Sequence, residues 1–135
     1  MTTSRPSSSR SAEPPGSAAG PDLPSWEPHG RALRDFLAGR ADAEVVVRDA
    51  EGEEERTPVR VFFRGPKEFS ALDAAALDLC RGRVLDVGAG AGCHALELQA
   101  RRLAVTAIDV SPDAVEVMRR RGVRDVRRAD VFAWD

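Results

Sequence analysis

The chain has 135 residues, with 20 basic and 22 acidic side chains giving a formal net charge of -2. That length fits one small domain, and the charge balance argues against general affinity for phosphate backbones or anionic membrane surfaces. No apolar run reaches the length of a membrane span and the N-terminus lacks the apolar core of a secretory signal, so a soluble cytoplasmic protein is expected. Residues 1–24 are built from Ser, Pro, Ala and Gly, and such a segment cannot bury enough surface to offset its ordering entropy. A disordered tail is expected there. Residues 25–82 then read as a helix, a β-hairpin and a lead-in helix. In SWEPHGRALRDFLAG (25–39), Ser25 caps a short helix, Leu33, Phe36 and Leu37 follow helical spacing, and Gly39 stops it. AEVVVRD (43–49) and TPVRVFFRG (57–65) read as paired strands around the charged turn AEGEEER, with period-two alternation in Val59, Val61 and Phe63.

Ser70 and Asp73 form a capping-box signature. The helix that they open is expected to place Leu72, Ala75, Ala76 and Leu79 on one face and to end at Gly82. From residue 83 the pattern changes. RVLDV (83–87) is a compact apolar strand, HALELQARR (94–102) an amphipathic helix, and LAVTAID (103–109) a second apolar strand. Ser111 caps the next helix, with Pro112 at its first position, Val115 and Met118 inward and Gly122 at its end. VRDVRRAD (123–130) holds a third, weaker strand. Strand–helix alternation with doubly apolar strands indicates an α/β fold: a parallel sheet in the order 3-2-1, covered by helices. Cys80 and Cys93 make neither a disulfide framework nor a CxxC metal site and read as reduced packing thiols.

VLDVGAGAG (84–92) carries the chemistry. Glycines after a parallel strand let the backbone turn sharply and let a ligand approach, while the next helix N-terminus presents free N–H groups to an anion. Dinucleotides use this device through GxGxxG, and S-adenosylmethionine uses it for its methionine carboxylate. Here Gly88, Gly90 and Gly92 make GxGxG, and Cys93 stands where the third dinucleotide glycine would fall. Asp109 closes the second strand, where a carboxylate reaches paired ribose hydroxyls; a helix cap shared with Ser111 is its structural alternative.

Together VLDVGAGAG, VTAIDVSPDAVEVM and RRADVFAW resemble the first three motifs of the class I S-adenosylmethionine-dependent methyltransferases, over residues 83–134. The preceding FFRGPKEFSALDAAALDLCRG resembles the lead-in segment of bacterial members. The resemblance implies a three-layer Rossmann-like fold with S-adenosylmethionine as cofactor, bound by residues 83–135 as half of a methyltransferase domain. It implies that Asp86 helps to hold the cofactor's ammonium end and that Gly88, Ala89, Gly90 and Gly92 form the loop beneath it. Asp109 would then grip the ribose and Val110 would pack on the adenine. Asp130 would accept from the adenine amino group, and the Val131 N–H would face a ring nitrogen. No catalytic residue is assigned and no metal is expected. The family pattern continues with a fourth strand carrying acceptor contacts, so the chain reads as part of a longer domain, with the 43–65 hairpin expected to cover the edge of strand 83–87. His94 reads as a solvent-facing or capping histidine, His29 as surface, and Arg64 as a solvated arginine. The expected activity is methyl transfer to an acceptor that is not legible, a small molecule being favoured over nucleic acid. An NAD(P)-dependent oxidoreductase and a non-catalytic nucleotide-binding module are the alternatives.

Overall fold

The structure, a computed structural model, describes residues 24–134. The tail expected over residues 1–24 lies, apart from Pro24, outside them, as does Asp135. Helix α1 spans Glu27–Leu37. It starts one residue later than expected, with Trp26 rather than Ser25 at the N-cap and no side-chain cap bond. Pro28 in its first turn has no N–H, which leaves one donor fewer for a cap to satisfy.

An antiparallel hairpin follows, β1 (Glu44–Arg48) with β2 (Glu54–Pro58), Arg48 opposite Glu54 and Val46 opposite Arg56. The second strand therefore falls on the charged EERTP segment and overlaps the expected 57–65 only at Thr57 and Pro58. Arg56 pairs with Glu44 and Glu54, and Arg48 pairs with Glu54, so opposite charges hold the register. Val59–Phe63, expected as strand, forms a 3-10 helix, which turns Val59, Phe62 and Phe63 toward Leu33 and Phe36 of α1. The hairpin packs on α1 and shares no sheet with residues 83–87, which corrects the expectation that it covers their edge.

Helix α2 (Ala71–Leu79) has the expected capping box: the Ser70 hydroxyl accepts from the Asp73 N–H, and the Asp73 carboxylate accepts from the Ser70 N–H. Its buried side is different from the one expected. Leu77 faces the core, whereas Leu72 and Leu79 are both 80% exposed. The alanines between them give α2 no strongly preferred face, so Leu77's contact with the core decides its rotation.

The sheet is β3 (Arg83–Val87), β4 (Ala104–Asp109) and β5 (Val126–Arg128), all parallel and adjacent in chain order. That is the expected 3-2-1 order with β3 at an edge. Helices α3 (Cys93–Ala100) and α4 (Pro112–Arg121) make the crossovers. Ala95 and Leu98 of α3 and Val115 and Met118 of α4 pack with Leu77 on Val105 and Ala107. On the opposite face Leu85 and Val87 stay exposed. Ser111 caps α4 through the Ala114 N–H, and Gly122 ends it. A second core joins α1 to α4 and the glycine loop through Leu33, Val59, Ala91, Ala114 and Val117. This packing brings the N-terminal helix to the C-terminal ends of β3 and β4. Among the described residues, no helix is long and apolar enough to cross a membrane.

Candidate functional site

Gly88, Gly90 and Gly92 all have positive φ, at 65°, 56° and 78°. Their surroundings differ. A Cβ on Gly92 would lie 2.9 Å from Val123 Cγ2 and 3.0 Å from Met118 Cγ, so Gly92 lets α3 close onto the core beneath α4. A Cβ on Gly90 would meet His29 Nε2 at 3.8 Å and Leu33 Cδ1 at 4.0 Å, so this turn faces α1. Only at Gly88 would a Cβ point into open space. The Ala89 N–H donates to the Ile108 carbonyl, which ties the loop to the end of β4.

Asp109 holds that junction together. One carboxylate oxygen accepts from the Gly90 N–H at 2.9 Å and the other from the Ser111 N–H at 2.9 Å. The contact to Ser111 is the structural alternative weighed for this residue, and the contact to Gly90 ties it to the loop as well. A carboxylate has about four lone-pair sites, so about two remain for a ligand's hydroxyl groups. Asp86 lies opposite Ala107 in the sheet, and Asp109 is two residues further along β4, so the two carboxylates project from the same face. The Asp86 Oδ2 atom is buried and has no partner among the described residues. Burial pushes its carboxyl above the ordinary value, only partly offset by the nearby His94 and the Ala95 N–H.

Val110 and Asp130 meet in a cavity of about 260 Å³ that is also lined by Trp26, Arg128 and Ala129. One Asp130 oxygen accepts from the Phe132 N–H, capping the short 3-10 helix Val131–Ala133. Val131 itself is exposed and does not line that cavity. A larger cavity of about 470 Å³ lies between α1 and the start of β1, but charged side chains ring it and no motif residue lines it.

Three sequence readings change. His29 is half-buried: its ring meets the Phe62 ring edge-on at 4.7 Å, and burial lowers its pKa against the opposing pull of Asp109. His94 faces Asp73, with Nε2 3.0 Å from Asp73 Oδ1, and its ring lies against Phe69. Arg64 is held within the protein, donating to the Val61 carbonyl and pairing with Asp73 at 3.1 Å. The Ser70 hydroxyl and N–H, with Arg64, hold the Asp73 carboxyl down at about 2. The Cys93 thiol, expected only to pack, also donates to the Phe62 carbonyl. The sequence reading did not single out Trp26, which lines the cavity of Val110 and Asp130, or His29, which faces Gly90. They lie three apart on one helix flank, a spacing visible in WEPH, but nothing local says that this flank faces the glycine loop.

A family model described as a methyltransferase domain matches residues 84–135. An S-adenosylmethionine-dependent methyltransferase from Bacteroides fragilis, crystallised with S-adenosyl-L-homocysteine, is 42% identical and superposes with a TM-score of 0.75. The match covers 82% of this chain and 46% of that one, so the chain spans under half the length of this relative. The sugar N-methyltransferase KedS8 from Streptoalloteichus is more distant, at 22% identity and a TM-score of 0.44 over 67% of this chain and 40% of its own. No curated protein matches the sequence significantly. On that family match, and on its identity and structural likeness to the Bacteroides fragilis enzyme, the chain belongs to the class I S-adenosylmethionine-dependent methyltransferase family and carries part of its domain.

Proposed function

We propose that the protein binds S-adenosylmethionine at the glycine loop and transfers its methyl group to a small-molecule nucleophile. The observation that carries this reading is Asp109, which bridges the loop and the start of α4 and keeps lone pairs for two ribose hydroxyls. The site also fits the rest of such a ligand. Open space at Gly88 admits an atom where a side chain would clash, and the unpartnered Asp86 oxygen suits a nearby ammonium group, directly or through water. Ala89 and Gly90 would carry the loop beneath the ligand, with Gly92 setting the approach of α3. Val110 would pack on the base, the second Asp130 oxygen would accept from its amino group, and the Val131 N–H would face a ring nitrogen.

When bound, the sulfonium supplies an already activated methyl group, so the protein's task is alignment more than activation. Asp86 and Asp109 fix the two ends of the ligand, and the loop between them sets its height over the sheet. Charge supports a small acceptor over nucleic acid, because the net charge of -2 gives no basic surplus for a phosphate backbone. Two free thiols suit the reducing cytoplasm that this reading assumes. A dinucleotide fits less well, since Cys93 occupies the third glycine's place and is tied to Phe62.

Calorimetric titration with S-adenosylhomocysteine and with NAD tests the proposal and its two alternatives. Adenosylhomocysteine alone should bind, and Asp109→Asn should weaken it by about tenfold or more through loss of charge-assisted hydrogen bonds. Binding of NAD alone would replace the proposal with an oxidoreductase. Binding of neither would leave the cofactor assignment without support.

A further inference from the structure

The geometry points to helix α1 as a wall of the cofactor site, with Trp26 stacking on the adenine and His29 bonding the ribose. This inference rests on the reading of the site as an S-adenosylmethionine site. It adds two residues that neither the motif pattern nor the family resemblance assigns.

Trp26 lines the same cavity as Val110 and Asp130, and it is the one aromatic residue there among the described residues. The cavity, at about 260 Å³, has room for a purine base. Arg128 reaches over it: its guanidinium lies 5.9 Å from the indole centroid, and its Nε donates to the Val110 carbonyl. A cavity lined by an indole, a branched aliphatic side chain and a carboxylate suits a heteroaromatic ring that carries an exocyclic amine.

His29 stands one helical turn further along, on the flank that carries Trp26. Phe62 holds the ring from the side, and Nε2 points toward Gly90, whose N–H is held by Asp109. A neutral imidazole there can donate to or accept from a hydroxyl that Asp109 also engages. Two features fix the helix in place. A Cβ on Gly30 would fall 2.1 Å from Ser111 Oγ, so the Ser111 side chain sits directly on the α1 backbone, and Leu33 is fully buried beside this contact. The order Trp26, His29 along α1 thus repeats the order base, sugar that Val110 and Asp109 mark out along the sheet ends.

The test uses the full chain and S-adenosylhomocysteine. Trp26→Ala should weaken binding about tenfold, and Trp26→Phe should recover most of the loss. His29→Ala should weaken binding several-fold, with the loss much smaller for the ligand analogue lacking both ribose hydroxyls. Ligand-free thermal melting of each variant separates this role from a structural one. Because Trp26→Ala could also loosen the helix, Trp134→Phe provides a second measurement: its remaining tryptophan fluorescence should change as ligand saturates. If the wild-type chain fails to bind, the functional reading falls. If it binds while Trp26 fluorescence and both variant affinities stay unchanged, only the role of α1 is overturned.

Discussion

Gly88 and Gly92 share a left-handed backbone but face different neighbours, so the same substitution should break them differently. Alanine at either position carries the cost of a left-handed L-residue, about 1–2 kcal/mol. At Gly92 the new methyl would also press on Val123 and Met118 in the core, adding about 1–3 kcal/mol of overpacking. At Gly88 it would enter open space, where the proposed ligand passes. Denaturant unfolding should therefore rank Gly92→Ala as the less stable variant, while calorimetry with S-adenosylhomocysteine should show Gly88→Ala losing more affinity per unit of lost stability. Equal stabilities would mean that Val123 and Met118 yield to the methyl without cost, and that close packing at Gly92 is not what its place in the motif serves.

At the scale of the elements, the start of α2 links local sequence to acid stability. Ser70→Ala removes a hydroxyl that accepts from the Asp73 N–H and donates to the Asp73 carboxylate at 2.8 Å. Loss of the cap should cost about 1 kcal/mol at neutral pH. In the folded chain Asp73 is held down at about 2 against an ordinary value of 3.8, so its contribution is complete above that ordinary value. It is lost as pH falls toward 2. The alanine variant, with its folded carboxyl nearer the ordinary value, has less to lose. The stability gap between the two proteins should thus narrow from pH 7 to pH 3 in urea titrations, and a constant gap would show that Ser70 acts on the helix alone. This capping box was legible because its two partners are three residues apart. The strands, helices and glycine turns after residue 83 were legible for the same reason, each being specified by neighbours in the chain. The hairpin and its first strand were legible as well, but the bounds of its second strand were not. Alternating Val59, Val61 and Phe63 look like a strand, yet burial against α1 makes them a 3-10 helix, and the strand forms where Glu54 and Arg56 meet opposite charges across the ladder. His29 and Trp26 were illegible as site residues because the contacts that aim α1 at the loop, Gly30 on Ser111 and Arg34 on Asp113, bridge about eighty positions of sequence.

Across the whole molecule, apolar surface is distributed unevenly. Core residues close one face of the sheet, while the other carries Leu85 and Val87, and β3 pairs only with β4 among the described residues. Leu72 and Leu79 of α2 add exposed apolar surface, and Phe132 is 97% exposed beyond β5. An unpaired edge strand offers a row of backbone donors and acceptors, and apolar side chains beside it make pairing with another chain favourable. No proline interrupts β3, and its one charged side chain on the exposed face is Arg83, at the far end from the glycine loop. The 135-residue polypeptide should therefore self-associate as its concentration rises, with the weight-average mass in sedimentation equilibrium climbing above that of a monomer. Leu85→Lys places a charge at the centre of the exposed face, where it costs little in the monomer because Leu85 is already 40% exposed. It should shift the distribution toward monomer while leaving adenosylhomocysteine affinity unchanged, since Leu85 lies on the sheet face opposite the one that carries the proposed ligand residues Asp86 and Asp109. A wild-type chain that stays monomeric at high concentration would show that the twist of β3 or the charges around it suffice to protect the edge, and the substitution would then have nothing to relieve.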